Sequence, residues 1–142
     1  MSQENVEIVR RGFEAYNARD FPQLANLMTP DFVWDMSRVD APTSARYAGL
    51  PELRGFVETW SESFASEDVV AEEVYDAGDQ VVVIVRQAGR GRASGIEIEQ
   101  RFAMVWSVHD GRASRMDMDR TPEEALKAVG LEESGDDGRS PS

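Results

Sequence analysis

From Ile96 to His109 the chain alternates without a break. Ile96, Ile98, Gln100, Phe102, Met104, Trp106 and Val108 fall on one side, and Glu97, Glu99, Arg101, Ala103, Val105, Ser107 and His109 on the other. A period of two over this length marks a β-strand, because successive side chains point to opposite faces of a sheet. A strand this long needs neighbours for its backbone groups and a second layer for its apolar face. The neighbours are legible. Asp110-Gly111 reads as a hairpin turn into Arg112–Asp119. Upstream lie Val69–Asp76, ending in Ala77-Gly78, and Gln80–Ala88 with its VVVIV core. Four strands in succession predict an antiparallel run.

What precedes them has the helical period. Val6, Val9, Phe13 and Tyr16 make one apolar stripe behind Ser2 as N-cap. A short second helix follows, with Asp20 capping it, Pro22 in its first turn and Gln23 completing a capping box; Thr29-Pro30 stops it. Phe32–Ser37 alternates as a short strand, residues 38–48 read as loop, and a third helix runs from Leu50 to about Ala65. After the strands, Thr121-Pro122-Glu123-Glu124 caps a last helix, Glu123–Val129, closed by Gly130. The class is α+β: a bent sheet of five strands with helices on one face. If the other face is also apolar, a homodimer is its simplest partner.

Composition bounds the function. The chain has 142 residues, no Cys and one His. Disulfides and cysteine nucleophiles are excluded, a polyhistidine metal site within one chain is impossible, and no cofactor is implied. The net charge of −12 argues against nucleic acid and anionic membrane as partners. No apolar run approaches a membrane span and the N-terminus has no apolar signal core, so a cytoplasmic protein is expected. Residues 1–131 read as one domain, and 132–142 (EESGDDGRSPS) as an acidic disordered tail.

Gly89-Arg90-Gly91-Arg92-Ala93-Ser94-Gly95 lacks dinucleotide-loop spacing and leads into a strand, so it reads as a hairpin connection. His109 reads as an exposed hairpin residue. Asp117 and Asp119 share a strand face with Arg115, opposite Arg101 of the preceding strand, which favours a cross-strand ion-pair network over a catalytic pair. Asp35, flanked by Trp34 and Met36, is a further candidate base. Met36, Met104, Met116 and Met118 fall on the apolar faces of three strands, and Met adapts to irregular space. With tryptophans they suggest either a packed core or a cavity wall, with Gln100 orienting a ligand.

The segments ENVEIVRRGFEAYNARDFPQLANLMTPDFVWD, DAGDQVVVIVRQAGRGRASGIEIEQRFAMVWSVHDGR and TPEEALKAVGL resemble the SnoaL-like branch of the nuclear transport factor 2-like superfamily. That branch includes polyketide cyclases and is related to ketosteroid isomerases and limonene epoxide hydrolases. The resemblance covers roughly residues 3–131. It implies a cone: a curved antiparallel sheet packed on three N-terminal helices, with a short C-terminal helix, a deep pocket and dimerisation through the outer sheet face. Carried over position by position, it puts Met36 where the isomerases keep their proton-shuttling carboxylate and Gly12 where they keep a tyrosine. Phe102 or Ala103 stands at their second oxyanion donor. Met118 falls at the cyclase and hydrolase aspartate, between Asp117 and Asp119, and the hydrolases' Arg and Asp pair is missing from QVVVIVR. Met has no proton to give and no useful basicity.

The expected function is therefore binding of a small, largely apolar molecule in a pocket without the usual acid–base residues. Its walls would hold Tyr16, Trp34, Met36, Trp60, Gln100, Met104, Met116 and Met118. The alternative is an isomerase, cyclase or epoxide-hydrolase-like enzyme using Asp35, Asp117 or Asp119. An interaction module with a filled interior is a third possibility.

Overall fold

A computed structural model describes residues 2–36, 46–119 and 121–130; the side chains of Ser2, Asp119 and Ala128, and the segment 132–142 expected to be a tail, lie outside the description. The elements run α1 (Ser2–Asn17), α2 (Phe21–Asn26), β1 (Met28–Asp35), β2 (Arg46–Ala48), α3 (Leu50–Glu62), β3 (Phe64–Ala77), β4 (Gln80–Gly91), β5 (Glu97–His109), β6 (Arg112–Asp119) and α4 (Pro122–Ala128). The class is α+β, as the sequence implies. The Asp20 side chain accepts from the Gln23 amide and the Thr121 hydroxyl from the Glu124 amide, so both expected caps form.

The strands make one sheet in the order β2-β1-β6-β5-β4-β3. The antiparallel run β3 to β6 is as expected, but β1 lies parallel to β6, with Trp34 beside Met116 and Asp35 beside Asp117. The sheet is thus mixed and six-stranded. Periodicity carries no strand direction, so this pairing was not readable from the pattern. The sixth strand, β2, falls in the segment 38–48 expected to be loop, of which residues 38–45 are not described, nor is Ser37, the expected end of the strand before it. Strand β1 begins at Met28, so Thr29-Pro30 lies within a strand instead of ending a helix. Pro30 is tolerated there because β2 reaches only Val33 to Asp35 and the register with β6 shifts between Met28 and Val33.

Helix α3 ends at Glu62, short of Ala65. Arg92 closes that end, donating from Nε to the Glu62 carbonyl at 2.9 Å and from a terminal nitrogen to the Phe64 carbonyl at 3.0 Å. Arg92, itself exposed, is therefore a structural clamp. Strand β3 consequently starts at Phe64, which brings Glu67 into the sheet.

Two cores follow from the alternation. On the inner face Val81, Val83 and Val85 of β4, Met104 and Trp106 of β5 and Met116 of β6 pack against Val9 and Phe13 of α1 and Leu53 and Val57 of α3. On the outer face Val82, Ile84, Ala103 and Val105 pack under Ala125 and Leu126 of α4. The helices are thus not confined to one face, and the last helix covers part of the face for which a partner was expected. Among the described residues no helix is long and apolar enough to cross a membrane.

Candidate functional site

Between the inner sheet face and helices α1 and α3 lies a cavity of about 320 Å³. The interior is not filled, unlike that of the interaction module considered above. Each element supplies its share by its own period. Helix α1 turns Phe13 and Tyr16 inward, three residues apart; β5 supplies Gln100, Phe102, Met104 and Trp106; β6 supplies Met116 and Met118. Trp34 and Met36 enter from β1 and its end, and Phe56 and Trp60 from α3. All eight residues singled out from the sequence, Tyr16, Trp34, Met36, Trp60, Gln100, Met104, Met116 and Met118, line this one space.

The walls are largely apolar and aromatic. The Phe56 ring stands edge-on to Trp34 at 5.4 Å and stacks on Trp60 at 6.0 Å, and Trp60 meets Phe64 edge-on at 5.4 Å. The Trp34 indole N–H points at the Met118 sulfur at 3.1 Å. Gly12 is accounted for by packing: a Cβ there would sit 3.1 Å from the Trp106 ring, which occupies that side of the cavity.

One end is polar, and it holds a residue that the sequence reading missed. Glu67 lines the cavity with a fully buried side chain. Its carboxylate accepts from the Tyr16 hydroxyl at 2.8 Å, the Gln87 amide at 2.5 Å and the Trp60 indole at 3.3 Å, and Arg19 approaches to 3.4 Å. Gln100 in turn donates to the Gln87 side-chain oxygen at 2.5 Å. Burial pushes the Tyr16 hydroxyl far above its ordinary value, and the Glu67 charge and hydrogen bond add to the effect.

The hollow expected to lack the usual acid–base residues also holds a carboxylate that the sequence reading did not include. Gly12, Met36 and Met118 line the cavity, and the carboxylate enters from a different position. Two signals could have found it. Gln87 follows Val81, Val83 and Val85 on an apolar stripe, and a polar residue on such a stripe asks for a partner. Glu67 itself lay ahead of the expected strand, so no alternation was applied to it. Its position depends on Gly89, its register partner: a Cβ at 89 would sit 2.5 Å from the Ser66 carbonyl oxygen.

Two of the three candidate carboxylates of the alternative reading lie elsewhere. Asp35 and Asp117 are on the outer face, both bound by Arg115, at 2.8 Å and 3.0 Å. The hydrogen bond to Asp117 chiefly holds the Arg115 guanidinium above its ordinary range, against some desolvation. The expected ion-pair network forms at Arg115, while Arg101, its other expected member, pairs with Glu72 and Glu73. The Asp119 side chain is not described. His109 is exposed beside Asp110 in the hairpin. A second hollow of about 530 Å³ lies between α2 and α3, lined by apolar side chains and Arg54, without a converging polar group.

A family profile described as the SnoaL-like domain matches residues 9–116. Among solved structures, an NTF2-like protein of unknown function from Burkholderia pseudomallei is 21% identical, with TM-score 0.73, over 90% of this chain and 98% of that one. A putative SnoaL-like polyketide cyclase from a Jannaschia species is 25% identical, with TM-score 0.72, over 82% of this chain and 84% of that one. TerC, co-crystallised with polyporic acid, is 19% identical, with TM-score 0.72, over 89% of this chain and 98% of that one. No curated protein matches the sequence.

Proposed function

The chain belongs to the family of SnoaL-like domains, and we propose that it binds a small, largely apolar molecule in the cavity between its helices and its inner sheet face. One observation carries the reading: a hollow of about 320 Å³ walled by Trp34, Phe56, Trp60 and five methionines, with polar groups gathered at one end. That volume is at the lower end of the roughly 300–1,000 Å³ typical of ligand pockets, which favours a compact ligand. Aromatic faces supply area at little entropic cost, and thioethers adapt to shape.

Carboxylate catalysis has less support. Asp35 and Asp117 are engaged by Arg115 on the far side of the sheet. Glu67 reaches the cavity, but three hydrogen bonds and Arg19 occupy its oxygens. A general base needs a lone pair within reach of the ligand's proton. A homodimer through the outer face belongs to the same proposal, supported by exposed Val70 beside the surface that α4 leaves open; light scattering at micromolar concentration tests it.

Thermal unfolding tests the binding itself. A ligand at a hundred times its Kd stabilises by about 2.7 kcal/mol, a rise of several degrees in Tm. A panel of naphthalene derivatives, terpenoids, steroids and aromatic polyketides should contain members that produce it. No shift across the panel contradicts the proposal.

A further inference from the structure

We infer that the ligand carries a neutral hydrogen-bond acceptor, a carbonyl or ether oxygen, at the end it buries deepest, and that the Trp106 indole N–H anchors it there; this rests on the binding reading above. All three tryptophans of the chain line the cavity. Two of their N–H groups are engaged: Trp34 donates to the Met118 sulfur at 3.1 Å and Trp60 to Glu67 at 3.3 Å. The third is not. The Trp106 Nε1 atom is shut off from solvent and has no acceptor among the described residues.

An indole N–H only donates, and burying it without a partner forfeits the hydrogen bond that water gave it in the unfolded chain. Buried polar groups are paired as a rule, so an exception in the wall of a cavity asks where its acceptor comes from. The neighbours do not supply it. Val81 and Met116 are the register partners of Trp106 on β4 and β6, the Phe13 ring centre lies 6.1 Å from its own, and Gly12 abuts the far edge of the indole. Of these side chains only the Met116 sulfur can accept, weakly, and it does not reach the N–H.

Position decides which end of the ligand is meant. Along β5 exposure falls from Gln100, which is exposed, through half-buried Phe102 to Met104 and Trp106, both buried. Six residues separate Gln100 from Trp106, roughly 20 Å of strand. The linked polar groups of Glu67, Gln87 and Gln100 thus hold one end of the cavity, and Trp106 stands at the closed end. Met104 and Met116 flank the indole there, and unbranched thioethers shift readily to seat an oxygen. An anion is disfavoured at this end, because its described residues offer one donor and no cation.

Two naphthalene derivatives of matched shape make the test: the methyl ketone β-acetylnaphthalene, and β-isopropenylnaphthalene, in which a methylene group replaces the oxygen. Calorimetry reads both against the natural chain and against Trp106→Phe. The variant should lose at least about tenfold more affinity for the ketone than for the hydrocarbon, the usual consequence of deleting a buried donor. Taking the ratio cancels both the space left by the smaller ring and the ketone's stronger hydration. NMR of the natural chain gives a second reading. At saturation the Trp106 indole proton should move further downfield with the ketone than with the hydrocarbon, which brings the same ring currents. That reading stands whether or not the variant folds. Equal losses for the two ligands, or an indole proton that moves alike with both, overturn the anchor and leave the binding reading intact; the ketone oxygen then lies at Gln100, or a trapped water holds the N–H. Absence of binding by both ligands overturns the two together.

Discussion

The Tyr16 hydroxyl donates to the Glu67 carboxylate at 2.8 Å, joining the last turns of α1 to the start of β3. Because the Glu67 side chain is fully buried, this bond and its companions from Gln87 and Trp60 replace all of its hydration. Replacing Glu67 with Ala leaves three buried donors unpaired and Arg19 without its counter-charge. A loss of about 3 kcal/mol is expected, measured by urea denaturation. Glu67→Gln keeps one acceptor and should cost about half as much.

Alkaline pH should expose the same bond. Tyr16 is held well above its ordinary value of 10.0 by burial first and by Glu67 second. A raised folded value means that the unfolded chain loses this proton first. The Tyr16 contribution is therefore fully present below about pH 10 and is lost as pH rises beyond it, by about 1.4 kcal/mol per pH unit. Tyr16→Phe should lack that decline when its stability is compared with the natural chain between pH 9 and 11.

At Gly89 the limit is space. An added Cβ would meet the Ser66 carbonyl at 2.5 Å and the Glu67 backbone at 3.2 Å, and neither is the end of a flexible side chain. Gly89→Ala should cost about 1–3 kcal/mol in stability and weaken β-naphthol binding, because β3 must move where Glu67 is anchored. Unchanged affinity in a folded variant would separate the two.

Arg115 provides the opposite case. It ties Asp35 to Asp117 on the outer face, where both carboxylates are mostly but not wholly buried. Arg115→Met should reduce stability by about 1–2 kcal/mol, less at high salt. Ligand affinity should change by less than about twofold, as for independent sites. A large loss of binding would mean that these carboxylates take part in the site.

Much of this was legible in the residues. The alternation of 96–109 placed Gln100, Met104 and Trp106 on one face, and the helical spacing of Phe13 and Tyr16 turned both toward it. The caps at Asp20 and Thr121 formed because each is a local event. What was not legible depended on distant chain. The parallel pairing of β1 with β6 is a tertiary choice, and Pro30 reads as a breaker until one sees that β2 is too short to need its N–H. Glu67 was hidden because Phe64 fits the end of a helical stripe as well as the start of a strand. The clamp that decides between them, Arg92, comes from 28 residues further on.

The most direct measurement is calorimetry of β-naphthol against the natural chain and against Met104→Trp, which places a larger ring in the cavity. The account predicts one site per natural chain, and none in a variant that still melts cooperatively. No saturable binding to the natural chain, or equal binding to both, would contradict it.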